Sequence, residues 1–377
     1  MSSSITRRRC LQQLALTIPA VSLLPSVQAG QEPAPRPNEA ETAAIAAIAK
    51  AVMEKHSVPG MAVAFSVGWH PAFSAGYGMA DTDKGEKVGN SSLFRIASLS
   101  KPMTSVAILQ YAQAGKLKLD DPVFGKGHWI ATGDLPAETL DKLQPVTIRH
   151  LLTHTCGGWA NDGDDPMFRH EEMNHKDLIA ITLKEQPLKN VPGTNYAYSN
   201  FGYCLLGRII EKISGKSYEA HMKEAVLKPC EITSMRIGGN TLAERAKGEV
   251  IYYGGGERTY TMNVRRMDSH GGWLATAEDY VKFLSHTGSN GHLLRQEAVT
   301  TMKTAPECHP DYACGWSVNK AGNLWHTGSL PGTSTIGVRT ANDLNWAAFA
   351  NTRNDALGGA LDRMMWEMAK AVPAWNA

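Results

Sequence analysis

Strand-like apolar runs lie at the two ends of the chain, and helix-like periodicity fills its middle. Asn38 stands before an Ala-rich segment to about Lys55, with Glu39 and Glu41 at the positive end of the helix that it predicts. Residues 59–67 and 71–77 are short apolar runs parted by Gly68-Trp69-His70, the pattern of a hairpin. A long amphipathic helix follows over 98–114, with Ile108, Leu109 and Tyr111 on its apolar side and Gly115 as its stop. From there to about Asn290 the patterned segments are helical, at 147–154, 176–185, 200–213, 218–227 and 277–285, the last opened by Thr276 with Asp279 three places on. Strands return at 312–318, 324–327, 335–339 and 346–350, and a helix over 355–371 closes the chain. This order predicts an α/β (α+β) fold in one domain over 38–371. Its α/β layer comes from 38–97 and 300–371, and a helical insertion occupies 98–299.

With 43% hydrophobic and 20% charged residues, a chain of 377 residues buries a large core, which excludes disorder as the main state. Lys and Arg number 38 against 36 Asp and Glu, so no general basic surface exists for nucleic acid. Three of the cations, Arg7, Arg8 and Arg9, precede an apolar stretch over 11–24 and the small residues of Ser26-Val27-Gln28-Ala29. Residues 1–29 therefore read as an export signal peptide, with Gly30 as the mature start and a Pro-rich linker over 30–37. The expected location is periplasmic or secreted, and Thr6-Arg7-Arg8-Arg9-Cys10-Leu11 fits the twin-arginine route. Pro19 and Pro25 interrupt the apolar stretch, which is short of the roughly 20 residues of a spanning helix, so no integral membrane segment is expected in the mature chain.

Export changes how the cysteines are read. Cys308 and Cys314 are the only close pair, and either bridge a loop around Pro310 or stand as separate thiols. Cys156, Cys204 and Cys230 sit in apolar surroundings and are expected as small core residues. No Cys-x-x-Cys pair and no Cys/His zinc spacing occurs, and neither a metal nor an organic cofactor is expected.

The candidate chemistry begins at Phe94-Arg95-Ile96-Ala97-Ser98-Leu99-Ser100-Lys101. Ser-x-x-Lys at a helix start puts a hydroxyl and an amine on one face, one turn apart. Ser98 is the candidate nucleophile, and a neutral amine or a phenolate must take its proton. Lys101 is placed to do so, since burial and the positive helix end both disfavour its ammonium form. Downstream, Pro192-Gly193-Thr194-Asn195-Tyr196-Ala197-Tyr198-Ser199-Asn200 supplies a Tyr-x-Asn at the mouth of a helix, where Tyr198 can relay a proton and Asn200 can hold Lys101 or a substrate amide. Near the end, Trp325-His326-Thr327-Gly328-Ser329 reads as a strand opening into a Gly-rich turn. The main-chain amides of Ser98 and Ser329 are candidates for an oxyanion hole.

These three motifs, in this order, resemble the serine β-lactamase-like family, on the branch of class C β-lactamases, D-Ala-D-Ala carboxypeptidases and β-lactamase-like esterases. The resemblance covers roughly residues 40–371 and includes Gly115-Lys116-Leu117-Lys118-Leu119-Asp120-Asp121-Pro122-Val123, Thr147-Ile148-Arg149-His150-Leu151-Leu152-Thr153-His154-Thr155 and Gly271-Gly272-Trp273-Leu274-Ala275-Thr276-Ala277-Glu278-Asp279. It implies a β-lactamase/transpeptidase-like fold, an antiparallel sheet flanked by helices with an interleaved all-helical subdomain. It further implies acylation of Ser98, Lys101 as its general base, Tyr198 as the partner that returns a proton and activates water, and Asn200 and His326-Thr327-Gly328 as substrate-side elements. The expected activity is that of a serine hydrolase on a small-molecule or peptide ester or amide, a cell-wall fragment among the options. A D-Ala-D-Ala carboxypeptidase or peptidoglycan-related peptidase comes next, and a β-lactamase third. A slowly deacylating penicillin-binding sensor is the reading from a different class. His326 replaces the Lys of many β-lactamases and so removes a permanent cation from where a β-lactam carboxylate docks. Cys156 stands where Ser is usual after His154-Thr155 and reads as a packing change.

Other motifs carry less. His170-Glu171-Glu172-Met173-Asn174-His175 has its histidines five apart, off a common helical face for zinc. Asp162-Gly163-Asp164-Asp165 reads as a solvated acidic turn, and Gly254-Gly255-Gly256 as a mobile connection. His150 and His154 read as structural. Trp159, Met167, Phe168 and Arg169, and likewise Tyr252, Tyr253 and Trp273, are equally readable as cleft wall or as packing.

Overall fold

The computed structural model describes residues 34–375 except 163 and 289, so the expected leader at 1–29 and the start of the linker lie outside the described residues. Helix α1 (Glu39–His56) begins as the sequence requires, since the Asn38 side chain accepts from the Glu41 amide and the Glu41 carboxylate returns a bond to the Asn38 amide. Strands β1 (Gly60–Val67) and β2 (His70–Asp81) form the hairpin, followed by the short β3 (Glu86–Lys87) and β4 (Phe94–Arg95).

Helix α2 (Ser100–Gln113) is preceded by a 3-10 turn at Ala97–Leu99, so Ser98 sits on the tighter turn just ahead of the α-helix. The middle of the chain supplies α3 (Ala137–Leu143), α4 (Ile148–Leu152), α5 (His175–Glu185), α6 (Asn200–Ser214) and α7 (Tyr218–Met222). It also holds β5 (Arg236–Ile237) and β6 (Trp273–Ala275), which form with β4 a three-stranded sheet in the order β4-β6-β5. Helices α8 (Ala277–His286) and α9 (Gln296–Lys303) lead to β7 (Ser317–Val318), β8 (Leu324–Leu330), β9 (Thr333–Arg339), β10 (Leu344–Ala350) and α10 (Leu357–Lys370).

The main sheet has seven strands in the order β3-β2-β1-β10-β9-β8-β7, every neighbouring pair antiparallel. Its centre joins the two ends of the chain, with Met61 opposite Ala350 and Val67 opposite Leu344. Strand β1 is apolar almost without a break because both of its faces are buried. Met61, Val63 and Phe65 join one core with residues of α1 and α10, while Ala62 and Ala64 turn to the other face, where α8 packs on β1 and β10. The helical middle of the chain shares that second core.

The expected strand over 312–318 shrinks to β7, because residues 312–316 turn inward instead. Gly315, at φ +82°, presses against Ser105 and Tyr203, and Tyr312 at the start of this turn is buried, with its hydroxyl 3.1 Å from His326 of β8. Cys308 is exposed and Cys314 buried, and both are free thiols, so the loop around Pro310 carries no bridge. Cys156 is buried and donates to the Gly158 carbonyl, a packing role. Among the described residues no helix is long and apolar enough to cross a membrane.

Candidate active site

The turn that carries Ser98 is clamped between the two sheets. Behind it, the Arg95 guanidinium is buried, donates to the Gly239 carbonyl at 3.2 Å, lies 3.5 Å from the Glu249 carboxylate and stacks 4.8 Å from the Tyr252 ring centroid. In front, Thr333 and Thr335 of β9 donate their hydroxyls to the Arg95 and Ile96 carbonyls at 3.0 and 2.9 Å. These bonds reach past β8 because Gly328 has no side chain: a Cβ there would lie 2.2 Å from the Thr335 hydroxyl and 2.3 Å from the Ile96 carbonyl. Ala97 is held at φ +49°, a left-handed conformation that is unfavourable for a residue with a Cβ, and it is buried against Met262, Val264, Met267 and Leu330. The strain sits immediately before the nucleophile and is held by packing.

Lys101 lies beneath Ser98, fully buried. Its Nζ donates to Ser98 Oγ at 3.0 Å, to Asn200 Oδ1 at 2.7 Å and to the His270 carbonyl at 3.0 Å. Burial lowers its pKa to about 7, against a smaller opposing pull from the Asp165 carboxylate. The Tyr198 ring stands 4.7 Å from that amine, and its hydroxyl is a hydrogen-bond partner of Ser98. Burial raises the phenol well above its usual range, so Tyr198 stays protonated near neutral pH while Lys101 is partly free amine.

Asn200 begins α6, capped by Ser199, whose hydroxyl accepts from the Gly202 amide at 3.0 Å. Its side-chain nitrogen donates to Asp165 at 2.6 Å, and Asp165 also accepts from the Met167 amide at 2.9 Å. Lys101, Asn200 and Asp165 thus form one chain of polar contacts. Asp165, expected in a solvated acidic turn, is instead half-buried in the site. The loop bearing it is gathered by Arg266, whose guanidinium donates to the carbonyls of Met167, Arg169 and Met173 at 3.0, 2.9 and 2.8 Å and also to that of His170. His175 faces the same residue, 2.9 Å from the Arg266 carbonyl.

A second chain runs through the third motif. The Ser199 amide donates to His154 Nδ1 at 3.1 Å, so the proton of this neutral ring is on Nε2, which donates to the Tyr312 hydroxyl at 3.1 Å. Tyr312 in turn donates to His326 Nε2 at 3.1 Å, and His326 Nδ1–H donates to the Thr327 carbonyl at 2.6 Å. Burial lowers the His326 pKa to about 3, with the nearby Lys101 charge acting in the same direction. Both ring nitrogens of His326 are therefore used inside the protein, and the ring is neutral.

Six of the residues singled out in the sequence, Ser98, Tyr198, Asn200, His326, Thr327 and Ser329, line one cleft of about 510 Å³. Lys101 lies under its floor, and Gly328 packs inward against the nucleophile turn. Phe168 reaches the cleft wall, as do Tyr196, which lies within the second motif, and Asn161, Met267, His270, Tyr312 and Arg353, none of which the motifs marked. Trp159, Tyr252 and Trp273 are buried packing residues, Tyr253 bonds the Thr82 amide, and Arg169 pairs with Asp164 at 3.5 Å.

A family model described as Beta-lactamase matches residues 45–367. Among curated proteins, Protein flp of Staphylococcus aureus (strain MRSA252) is 26% identical over 295 residues, which cover 75% of this chain and 57% of that protein. Penicillin-binding protein 4* of Bacillus subtilis (strain 168) is 27% identical over 316 residues, 76% of this chain and 66% of that protein. The chain thus spans a little more than half the length of the first of these relatives. Among solved structures, D-amino acid amidase from Ochrobactrum anthropi SV3 complexed with L-phenylalanine amide superposes with a TM-score of 0.73 at 21% identity, covering 89% of this chain and 99% of that one. The octameric penicillin-binding protein homologue from Pyrococcus abyssi gives 0.69 at 20% identity, covering 88% and 79%. At such identities the superpositions speak to the fold.

Proposed function

From the premise that this chain belongs to the Beta-lactamase family, whose fold it shares, we propose that it is a serine hydrolase that cleaves an ester or amide through a covalent acyl-Ser98 intermediate. The observation that carries this reading is the buried Lys101 amine, 3.0 Å from Ser98 Oγ and with its pKa lowered to about 7. An amine half in its free form at neutral pH is matched to accepting the proton of a serine hydroxyl.

In the first step Ser98 Oγ forms a bond to the substrate carbonyl carbon and its proton passes to Lys101. The carbonyl oxygen becomes an oxyanion, which in this reading the amides of Ser98 and Ser329 receive, a role supported by both residues lining the cleft. The bond to the leaving group then breaks, and the departing nitrogen or oxygen takes a proton through Tyr198, which Lys101 re-supplies. Water attacks the ester carbonyl, gives its proton to the same pair of groups, and releases the acid with Ser98 restored. Asn200 keeps the Lys101 amine aimed at Ser98 throughout, because its own amide is held by Asp165.

Peptide and simple acyl substrates rank above β-lactams in this reading, since the third motif offers a neutral His326 in place of a fixed cation. The test is a panel of p-nitrophenyl esters, nitrocefin and a D-Ala-D-Ala peptide run on the wild type and on Ser98→Ala, together with fluorophosphonate labelling. Turnover by the wild type and loss of both turnover and label in Ser98→Ala, by roughly three orders of magnitude or more, are expected. Labelling that survives Ser98→Ala would show another nucleophile.

A further inference from the structure

Three aromatic side chains outside the catalytic cleft come together from three elements. Trp69 stands at the turn of the β1–β2 hairpin, His286 is the last residue of α8, and His292 follows in the loop that leads to α9. That loop folds back on the helix before it. The Gly291 amide donates to the Gly288 carbonyl at 2.9 Å, and the Leu293 amide donates to the His286 carbonyl at 3.4 Å. A Cβ on Gly291 would lie 2.1 Å from that same His286 oxygen, so glycine is what lets the chain pass so close. The turn delivers His292 onto His286. Their imidazole centroids are 4.9 Å apart, and the Trp69 ring lies 5.1 Å from His292 and 6.4 Å from His286.

Neither imidazole is engaged elsewhere. Among the described residues no hydrogen bond or ion pair holds either ring, and Nδ1 of the half-buried His286 is shut off from solvent without a partner. An orphaned ring nitrogen beside a second imidazole is a pair of donors. The spacing of the two rings fits one ion. A nitrogen-to-metal bond of about 2.0–2.1 Å puts each ring centre ~3.2 Å from the ion, so two such rings are ~4.5 Å apart at a right angle and ~5.2 Å at the tetrahedral angle. The observed 4.9 Å falls between these limits.

The donor type and the surrounding charges narrow the choice of ion. Imidazole nitrogen suits copper, nickel and zinc, whereas calcium and magnesium seek oxygen. The Glu231 carboxylate acts on His286 and favours a cation there, and Arg339, whose guanidinium packs at Gly288, is paired with Asp343. No group of three or more His, Cys, Asp or Glu side chains among the described residues is placed to hold a metal, so water completes the coordination of any ion on this pair.

We propose that His286 and His292 form a surface site for a divalent transition-metal ion of the copper, nickel and zinc class, bound by Nδ1 of His286 and one nitrogen of His292. The ion supplies the partner that Nδ1 lacks, and the exposed His292 ring turns to admit it. It ties the end of α8 to the loop that follows. The site stands apart from Ser98 and does not depend on the acyl-serine reading.

The test is titration of the chain, carrying no affinity tag, with copper(II), the tightest-binding ion of the series. Trp69 is the reporter, since a paramagnetic ion beside it quenches its fluorescence. Saturable quenching and one calorimetric site per chain are expected in the wild type. His286→Ala and His292→Ala should each weaken binding by about tenfold or more, at least what loss of an outer partner of a metal ligand costs. Trp69→Phe should lose the quenching and keep the calorimetric affinity. Zinc should compete for the site and magnesium should not. His292 is exposed, so its substitution keeps the test valid if His286→Ala disturbs the helix end. Absence of saturable quenching, unchanged affinity in His292→Ala, or full quenching in Trp69→Phe overturns the proposal.

Discussion

The hydroxyl of Tyr312 lies 3.1 Å from Nε2 of His326, and the direction of that hydrogen bond is fixed from a distance. The Ser199 amide sets the proton on His154, His154 donates to Tyr312, and Tyr312 has its own proton left for His326. Tyr312→Phe leaves one nitrogen of each histidine without a partner in a buried place. Denaturation in urea should show a loss of about 1–3 kcal/mol, and nitrogen NMR should show the His326 ring losing its single tautomer. Unchanged stability together with an unchanged ring spectrum would contradict this chain of bonds.

The pH dependence of acylation follows from Lys101. Burial lowers its pKa to about 7, and the neutral amine is the form that accepts the Ser98 proton. With a neutral p-nitrophenyl ester, kcat/KM should rise with pH up to about 7 and level off above it. Lys101→Arg, permanently charged, should be nearly inactive and lack this limb. A limb close to the ordinary lysine value would mean that the amine is solvated during the reaction.

Asp165 acts on the same profile from one residue further away. Its negative charge raises the Lys101 pKa, so Asp165→Asn should move the acid limb to lower pH. The substitution also turns a two-sided acceptor into a group with one oxygen, which cannot serve both Asn200 and the Met167 amide. Maximal kcat/KM should fall by about tenfold, equivalent to ~1.4 kcal/mol. An acid limb that stays in place or moves upward would remove Asp165 from the electrostatics of the base.

These residues differ in how they could be read from the chain. Ser98 and Lys101 are three apart on one turn, and Tyr198 and Asn200 stand at the mouth of a helix, so local spacing exposes them. The Asn38 cap, the Gly68 hairpin and the stop at Gly115 were legible for the same reason. Asp165 was not, because an Asp in an acidic turn looks solvated until Arg266, a hundred residues on, folds the loop around its guanidinium. Arg353 and Tyr312 reach the cleft through a strand end and a turn whose positions depend on sheet order. The small sheet of β4, β5 and β6 was missed because strands of two or three residues carry no period.

Gly328 is a geometric requirement that substitution exposes directly. In Gly328→Ala the new methyl would meet the Thr335 hydroxyl and the Ile96 carbonyl at distances that no packing tolerates, 2.2 and 2.3 Å. Relief requires β8 to move away from the turn bearing Ser98, which separates the Ser329 amide from the nucleophile. Fluorophosphonate labelling should slow by about a hundredfold, as a displacement of about 1 Å in a reacting geometry implies, and thermal stability should drop. Labelling at the wild-type rate would show that the strand and the turn are not coupled.

The pairing of Met61 with Ala350 has a further consequence, for the birth of the molecule. A ribosome makes β1 and β2 early, yet the partner of β1 emerges almost three hundred residues later. Throughout that interval the nascent hairpin presents an open, apolar edge of the kind that recruits other chains. Synthesis of this protein is therefore a race between completing its own sheet and aggregation, and chaperones that mask exposed strands should influence its yield more than its finished stability.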